Sequence, residues 1–93
     1  MTKLQALAAK LKAAELKANR LYDAAFEIAD AMPGTEENAS AEAAWEKAED
    51  AAIALRETLA AEIVKMSFGQ IDEPTAYKMT YSPKLYDLIA RMA

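Results

Sequence analysis

From Leu4 the apolar positions run Leu4, Leu7, Leu11, Ala14, Ala18, Leu21, Ala25, Ile28 and Met32, alternately three and four residues apart. A 3-4 repeat keeps one helical face turned toward a partner, so this stripe predicts a long helix. Thr2 followed by Gln5 fits a capping box and places the start near Lys3. Pro33-Gly34 ends it, since proline clashes with the preceding turn and glycine tolerates a positive φ. The predicted span is about 3–32.

A second stripe follows at Ala41, Trp45, Ala48, Ala52, Leu55, Leu59, Glu62 and Met66, with Glu62 its one polar position. Thr35, Asn38 or Ser40 could cap this helix, Glu36 and Glu37 suit the positive end of its dipole, and Gly69 is a natural stop. These signals predict a helix over roughly 37–68. The short connection makes the two helices antiparallel neighbours. A mirror register pairing Met32 with Ala41 sets Ile28 against Trp45, Ala25 against Ala48 and Leu21 against Ala52. Ala18 then faces Leu55 and Ala14 faces Leu59, so with Met32–Ala41 and Leu21–Ala52 four pairs set a large residue against alanine, as close helix packing requires. Glu62 falls opposite Leu11, so a slight rotation is expected to bring Ile63 inward and leave Glu62 at the edge, toward Lys10 or Lys12.

Beyond Gly69 the chain reads as a compact connector, with a helical turn starting after Asp72. Ser82-Pro83 supplies a cap followed by proline at the first helical position. Leu85, Leu88, Ile89 and Met92 form one face of a final short helix, about 83–92. The apolar run Ile63, Val64, Met66 and Phe68 is too wide for one seam and lies beside Leu4, Leu7 and Leu11 at the open end of the hairpin. The last helix and its tyrosines are expected to cover it. The fold class is therefore all-α, a long antiparallel helical hairpin with a short third helix packed at the open end. Residues 1–93 are read as a single helical domain.

Composition narrows the chemistry. Alanine supplies 23 residues, which leaves 27 larger apolar side chains for one modest core. Histidine and cysteine are absent, so disulfides, Cys/His zinc sites, thiol nucleophiles and Ser-His-Asp triads have no residues to build them. Gly34 and Gly69 are isolated and make no phosphate cradle. Asp30, Glu36 and Glu37 gather at the turn without the alternating pattern and central glycine of a calcium loop. Glu62 is the one acid on an apolar seam, and it reads as an edge side chain more readily than as a general acid. No catalytic residues, cofactor or metal are expected, and the chain is read as a non-enzyme. The N-terminus has no signal-peptide pattern and no run of 18 apolar residues occurs, so the membrane is not expected and the cytoplasm is the default compartment.

Charge is strongly segregated along the chain. Residues 1–22 hold Lys3, Lys10, Lys12, Lys17 and Arg20 against Glu15 alone, whereas residues 23–62 hold eleven acids against Lys47 and Arg56. Asp23, Glu27, Asp30, Glu36, Glu37, Glu42, Glu46, Glu49 and Asp50 fall on the loop-side half of the hairpin. Clustered carboxylates steer a basic partner, and beside them Tyr22, Phe26 and Ile53 lie off the seam as a candidate apolar patch. These twelve residues are the candidate partner-binding surface.

The leading expectation is a non-enzymatic protein-binding module, an inhibitor or adaptor. Its acidic hairpin docks on a basic, nucleic-acid-binding type of surface of a protein partner. Small phage antagonists of host defence, such as anti-CRISPR and anti-restriction proteins, offer an analogy in size and acidity. One alternative is a self-assembling helical scaffold or homodimer using Tyr22, Phe26 and Ile53. Another is a small nucleic-acid-binding protein using Lys3, Lys10, Lys12, Lys17 and Arg20, although an acidic tip argues against direct nucleic-acid binding. The tyrosines Tyr77, Tyr81 and Tyr86, interleaved with Lys78 and Lys84, are expected to pack rather than to stack on bases.

Overall fold

The computed structural model describes residues 2–92. Four helices and no strands occur among them: α1 (Lys3–Ala31), α2 (Glu36–Met66), α3 (Glu73–Met79) and α4 (Pro83–Ala90). The two long helices pack closely as a helical hairpin. The expected all-α hairpin is therefore what the chain adopts, with one helix more than the periodicity suggested. The additional helix is α3. The Asp72 carboxylate caps it by accepting from the Thr75 backbone N–H at 2.9 Å, and Pro74 fits its first turn.

The helix starts follow the sequence signals closely. Thr2 and Gln5 bond reciprocally, each backbone N–H donating to the other's side chain at 2.9 and 3.1 Å, which is the expected capping box. Of the three candidate caps for α2, Thr35 takes the role. Its hydroxyl accepts from the Asn38 N–H at 3.2 Å and donates to the Met32 carbonyl at 2.8 Å. Gly34, with φ of 74°, makes the turn between the helices.

The end of α2 departs from expectation. It closes at Met66, because Phe68 and Gly69 both take positive φ, 56° and 79°. The Gly69 N–H reaches back to the Val64 carbonyl at 3.0 Å, the long bond of a Schellman closure. That places Phe68 at the left-handed position glycine usually fills, and the residue is 93% exposed. Met66 is also exposed, so neither joins the core as expected. Leu88 is likewise exposed, because α4 turns only Leu85 and Ile89 fully inward.

The chain divides into two compact units. One, the core unit, comprises Met1–Leu11 with Ala54–Ala93; the other, the hairpin unit, is Lys12–Ile53. The core unit contains a buried cluster of Leu4, Ala8, Leu11, Leu59, Ala60, Ile63, Ala76, Leu85 and Ile89. Leu11 and Leu59 are wholly inaccessible. Ile63 turns inward as expected, and Glu62, at the edge, pairs with Lys3 at 3.2 Å. The Gln5 amide donates to the carbonyls of Ile89 and Met92 at 3.1 and 2.7 Å, which pins the end of α4 beside the start of α1.

A polar centre inside the core unit was not legible in the sequence. Arg56, which the sequence offers only as one base among the acids of residues 23–62, is buried; its Nη1 donates to the carbonyl and hydroxyl of buried Thr80 at 2.8 and 2.9 Å. The Tyr81 ring covers the guanidinium at 3.8 Å, and the Tyr86 hydroxyl donates to the same Thr80 carbonyl. Burial holds the Tyr86 hydroxyl above the usual tyrosine range. The Tyr77 hydroxyl is also raised, first by its hydrogen bond to Tyr81 and then by burial. Tyr77 and Tyr86 pack against the core cluster, while Tyr81 stays 63% exposed over Arg56.

The hairpin unit buries something different. Its buried residues are Ala18, Ala25, Ala48 and Ala52, all alanine. None of its eight large apolar side chains, Leu16, Leu21, Tyr22, Phe26, Ile28, Met32, Trp45 and Ile53, is buried.

Candidate functional site

Helical geometry divides the hairpin unit into two flanks. With about 100° between successive residues, positions flanking the alanine seam on one side of α1 meet those on the same side of α2. On one flank Tyr22, Ala25, Phe26 and Ala29 from α1 and Glu42 and Trp45 from α2 enclose a notch of about 130 Å³. The Trp45 indole stands edge-on to the Tyr22 ring, with centroids 5.1 Å apart and planes at 66°. The mirror register had set Ile28 against Trp45; the aromatic partner found there is Tyr22, one helical position that periodicity assigned off the seam. Phe26 is 65% exposed and Tyr22 48%, so the notch has an apolar rim open to solvent.

Acids extend this flank along α2. Glu42, Glu46 and Glu49 are spaced four and three residues apart and Ile53 follows four later, so the four share one face. All nine acids of the expected surface are exposed, as are Tyr22, Phe26 and Ile53. They do not form one patch. Tyr22, Phe26 and Glu42 meet at the notch. Asp23 and Glu27 each lie one residue beyond Tyr22 and Phe26, which turns them about 100° toward the outer face of α1, and Asp30 continues that outer row. Asp50 is turned from Glu49 in the same way, and Glu36 and Glu37 stand at the first turn of α2, where its dipole favours them. Among the described residues no group of three or more such side chains converges as a metal ion would need.

The other flank was not anticipated. Ala14, Leu21, Ala44, Ala48 and Ala51 floor a groove of about 410 Å³ whose charged lining is Lys17 and Lys47. Lys47 is the only base between residues 23 and 50, and it stands on the flank away from Glu42. The cations once grouped as a basic helix are accordingly put to separate uses: Lys3 is held by Glu62, and Lys17 rims the groove. The signal that could have found this groove was present, since Lys17 and Lys47 each sit one residue before a buried seam alanine, Ala18 and Ala48.

No helix among the described residues is long and apolar enough to cross a membrane. Comparison of the chain with protein-family models, curated proteins and solved structures finds no match.

Proposed function

We propose that the chain is a non-enzymatic protein-binding module, and that the acidic, aromatic flank of its hairpin docks on a basic surface of a protein partner. The observation that carries this reading is the meeting of an exposed aromatic notch with a row of carboxylates on the same flank. Carboxylates alone steer and orient, whereas affinity needs a desolvated anchor; Phe26, beside the Tyr22–Trp45 pair, supplies one. A partner matching this surface carries lysine or arginine around an apolar knob. Such a module acts as an inhibitor when the surface it covers is one that binds nucleic-acid phosphate, or as an adaptor when it is not.

Trp45 is the only tryptophan, so its fluorescence reads the notch directly. A synthetic amphipathic helix of lysine and leucine is the probe, with a glutamate-for-lysine version as control. The expected result is a shift of Trp45 emission with the basic peptide alone, weakening as salt rises. Phe26→Ala is expected to weaken binding by about tenfold, the loss of a modest anchor. Reversal of Glu42, Glu46, Glu49 and Asp50 to lysine is expected to abolish it with helicity unchanged. Full binding by that variant would falsify the electrostatic reading.

A further inference from the structure

We infer that the two flanks of the hairpin are complementary to each other, and that the alanine-floored groove receives a second copy of this chain. The groove is the site that the docking reading leaves unexplained. Apart from Leu21 its floor carries only alanine side chains, so a helix can approach closely, and its rim holds Lys17 and Lys47. In a segment of ten acids and four bases, a groove lined by two of those bases and by no acid selects an acidic occupant. The same chain presents one on its other flank: Glu42, Glu46 and Glu49 at helical spacing, with Phe26 exposed beside Glu42 at the notch. Acids meet lysines, and large apolar side chains meet a floor of alanines.

The symmetry of such a contact follows from its halves. Two different flanks meet, so the contact is heterologous, and each added copy leaves one acidic flank and one groove open. Association then continues past the dimer. This differs from a two-fold interface of Tyr22, Phe26 and Ile53, which would stop at two copies. It also goes beyond docking to a basic partner, since it assigns the groove as well as the acidic flank.

Salt is a poor readout, because it weakens the lysine–carboxylate contact while screening the repulsion between chains of net charge −4. Charge exchange is decisive. Three samples are compared by sedimentation equilibrium up to about millimolar chain, the range suited to a small interface: the natural chain, K17E/K47E, and E42K/E46K/E49K. The natural chain is expected to rise in mass with concentration through dimer and beyond. Each variant alone is expected to remain at the 10.1 kDa monomer mass, and their equimolar mixture to associate again, because each then offers what the other lacks. Far-UV circular dichroism shows whether each variant has kept its helices.

A natural chain that stays monomeric overturns the inference, as does one that stops at a dimer. So does a mixture of folded variants that fails to associate. Should a variant unfold, K17Q/K47Q replaces K17E/K47E, and undiminished assembly by it is equally fatal. The docking reading survives any of these outcomes, because K17E/K47E leaves Trp45 and the acidic row in place for titration with the basic peptide.

Discussion

In the core unit Leu4, Leu11, Leu59, Ile63, Leu85 and Ile89 are buried, while in the hairpin unit only alanines are. The hairpin unit thus inverts the usual assignment: small residues inside and large ones at the rim. A buried leucine contributes roughly 2–3 kcal/mol and a methyl group about 0.8, so equal numbers of buried residues do not mean equal stability. What alanine offers instead is close helix approach and strong helix propensity. The core unit holds its fold through packing and the Arg56–Thr80 centre, whereas the hairpin unit half-buries Leu21, Ile28 and Trp45 and leaves Leu16, Tyr22, Phe26, Met32 and Ile53 exposed. Charge follows the same division. Lys12–Ile53 carries ten acids and four bases, and the remaining residues carry five acids and seven bases.

Leu59→Ala tests the difference between the two units most directly. Leu59 is inaccessible within the leucine-rich cluster, so its truncation is expected to cost about 2–5 kcal/mol in urea unfolding. A cost below about 1 kcal/mol would show that the core unit is not the better packed of the two. The reverse substitution tests the hairpin. Ala48→Leu places a large side chain on the buried alanine seam and is expected to cost about 1–3 kcal/mol, with Trp45 fluorescence reporting the change nearby. Stabilisation by that substitution would mean that the seam has room and that the small residues are not needed for approach.

Phe68 gives a smaller effect of opposite sign. With φ of 56° and no burial to offset the strain, Phe68→Gly is expected to raise stability by about 0.5–1 kcal/mol in thermal unfolding. A loss would show that the ring is held by contacts after all.

The smallest effect concerns acid. The Thr75 hydroxyl and backbone N–H both favour the Asp72 carboxylate, so its pKa lies below the usual range. A depressed carboxylate contributes stability that is present above its unfolded pKa and lost as pH falls through the folded one. Asp72→Asn is expected to flatten that acid limb slightly and to leave stability at neutral pH nearly unchanged, as asparagine also caps. An unchanged acid limb would remove Asp72 from the account.

Much of the fold was legible because the repeat and the caps are local. The 3-4 stripes located both long helices, and Thr2 with Gln5 marked the first start to the residue. Less visible was anything decided by the sign of φ or by tertiary contact. Periodicity places Phe68 on an apolar face, but a positive φ two residues past Met66 swings it out. Arg56 reads as a surface charge until Thr80 and Tyr81, 24 and 25 residues later, fold over it. At the candidate site, all twelve residues were found on the surface, but their division among flank, outer face and turn depends on offsets of one residue from the seam. Lys17 and Lys47 were hidden for the same reason, since a count of charges along the chain carries no angle.

The Gln5 amide, bonded to carbonyls 84 and 87 residues away, also fixes an order of events. Contacts within Lys12–Ile53 need only one continuous stretch of chain, so they can form while the ribosome is still making the rest. The leucine cluster must wait for Leu85 and Ile89, and closing so long a loop is entropically the harder step. The unit with the weaker packing is therefore free to form first, and the one with the stronger packing seals the chain last. Until Leu85 and Ile89 arrive, Leu4, Ala8 and Leu11 have only the α2 and α3 sides of their cluster to pack against, which makes this interval the one in which a truncated or stalled chain is most exposed to aggregation.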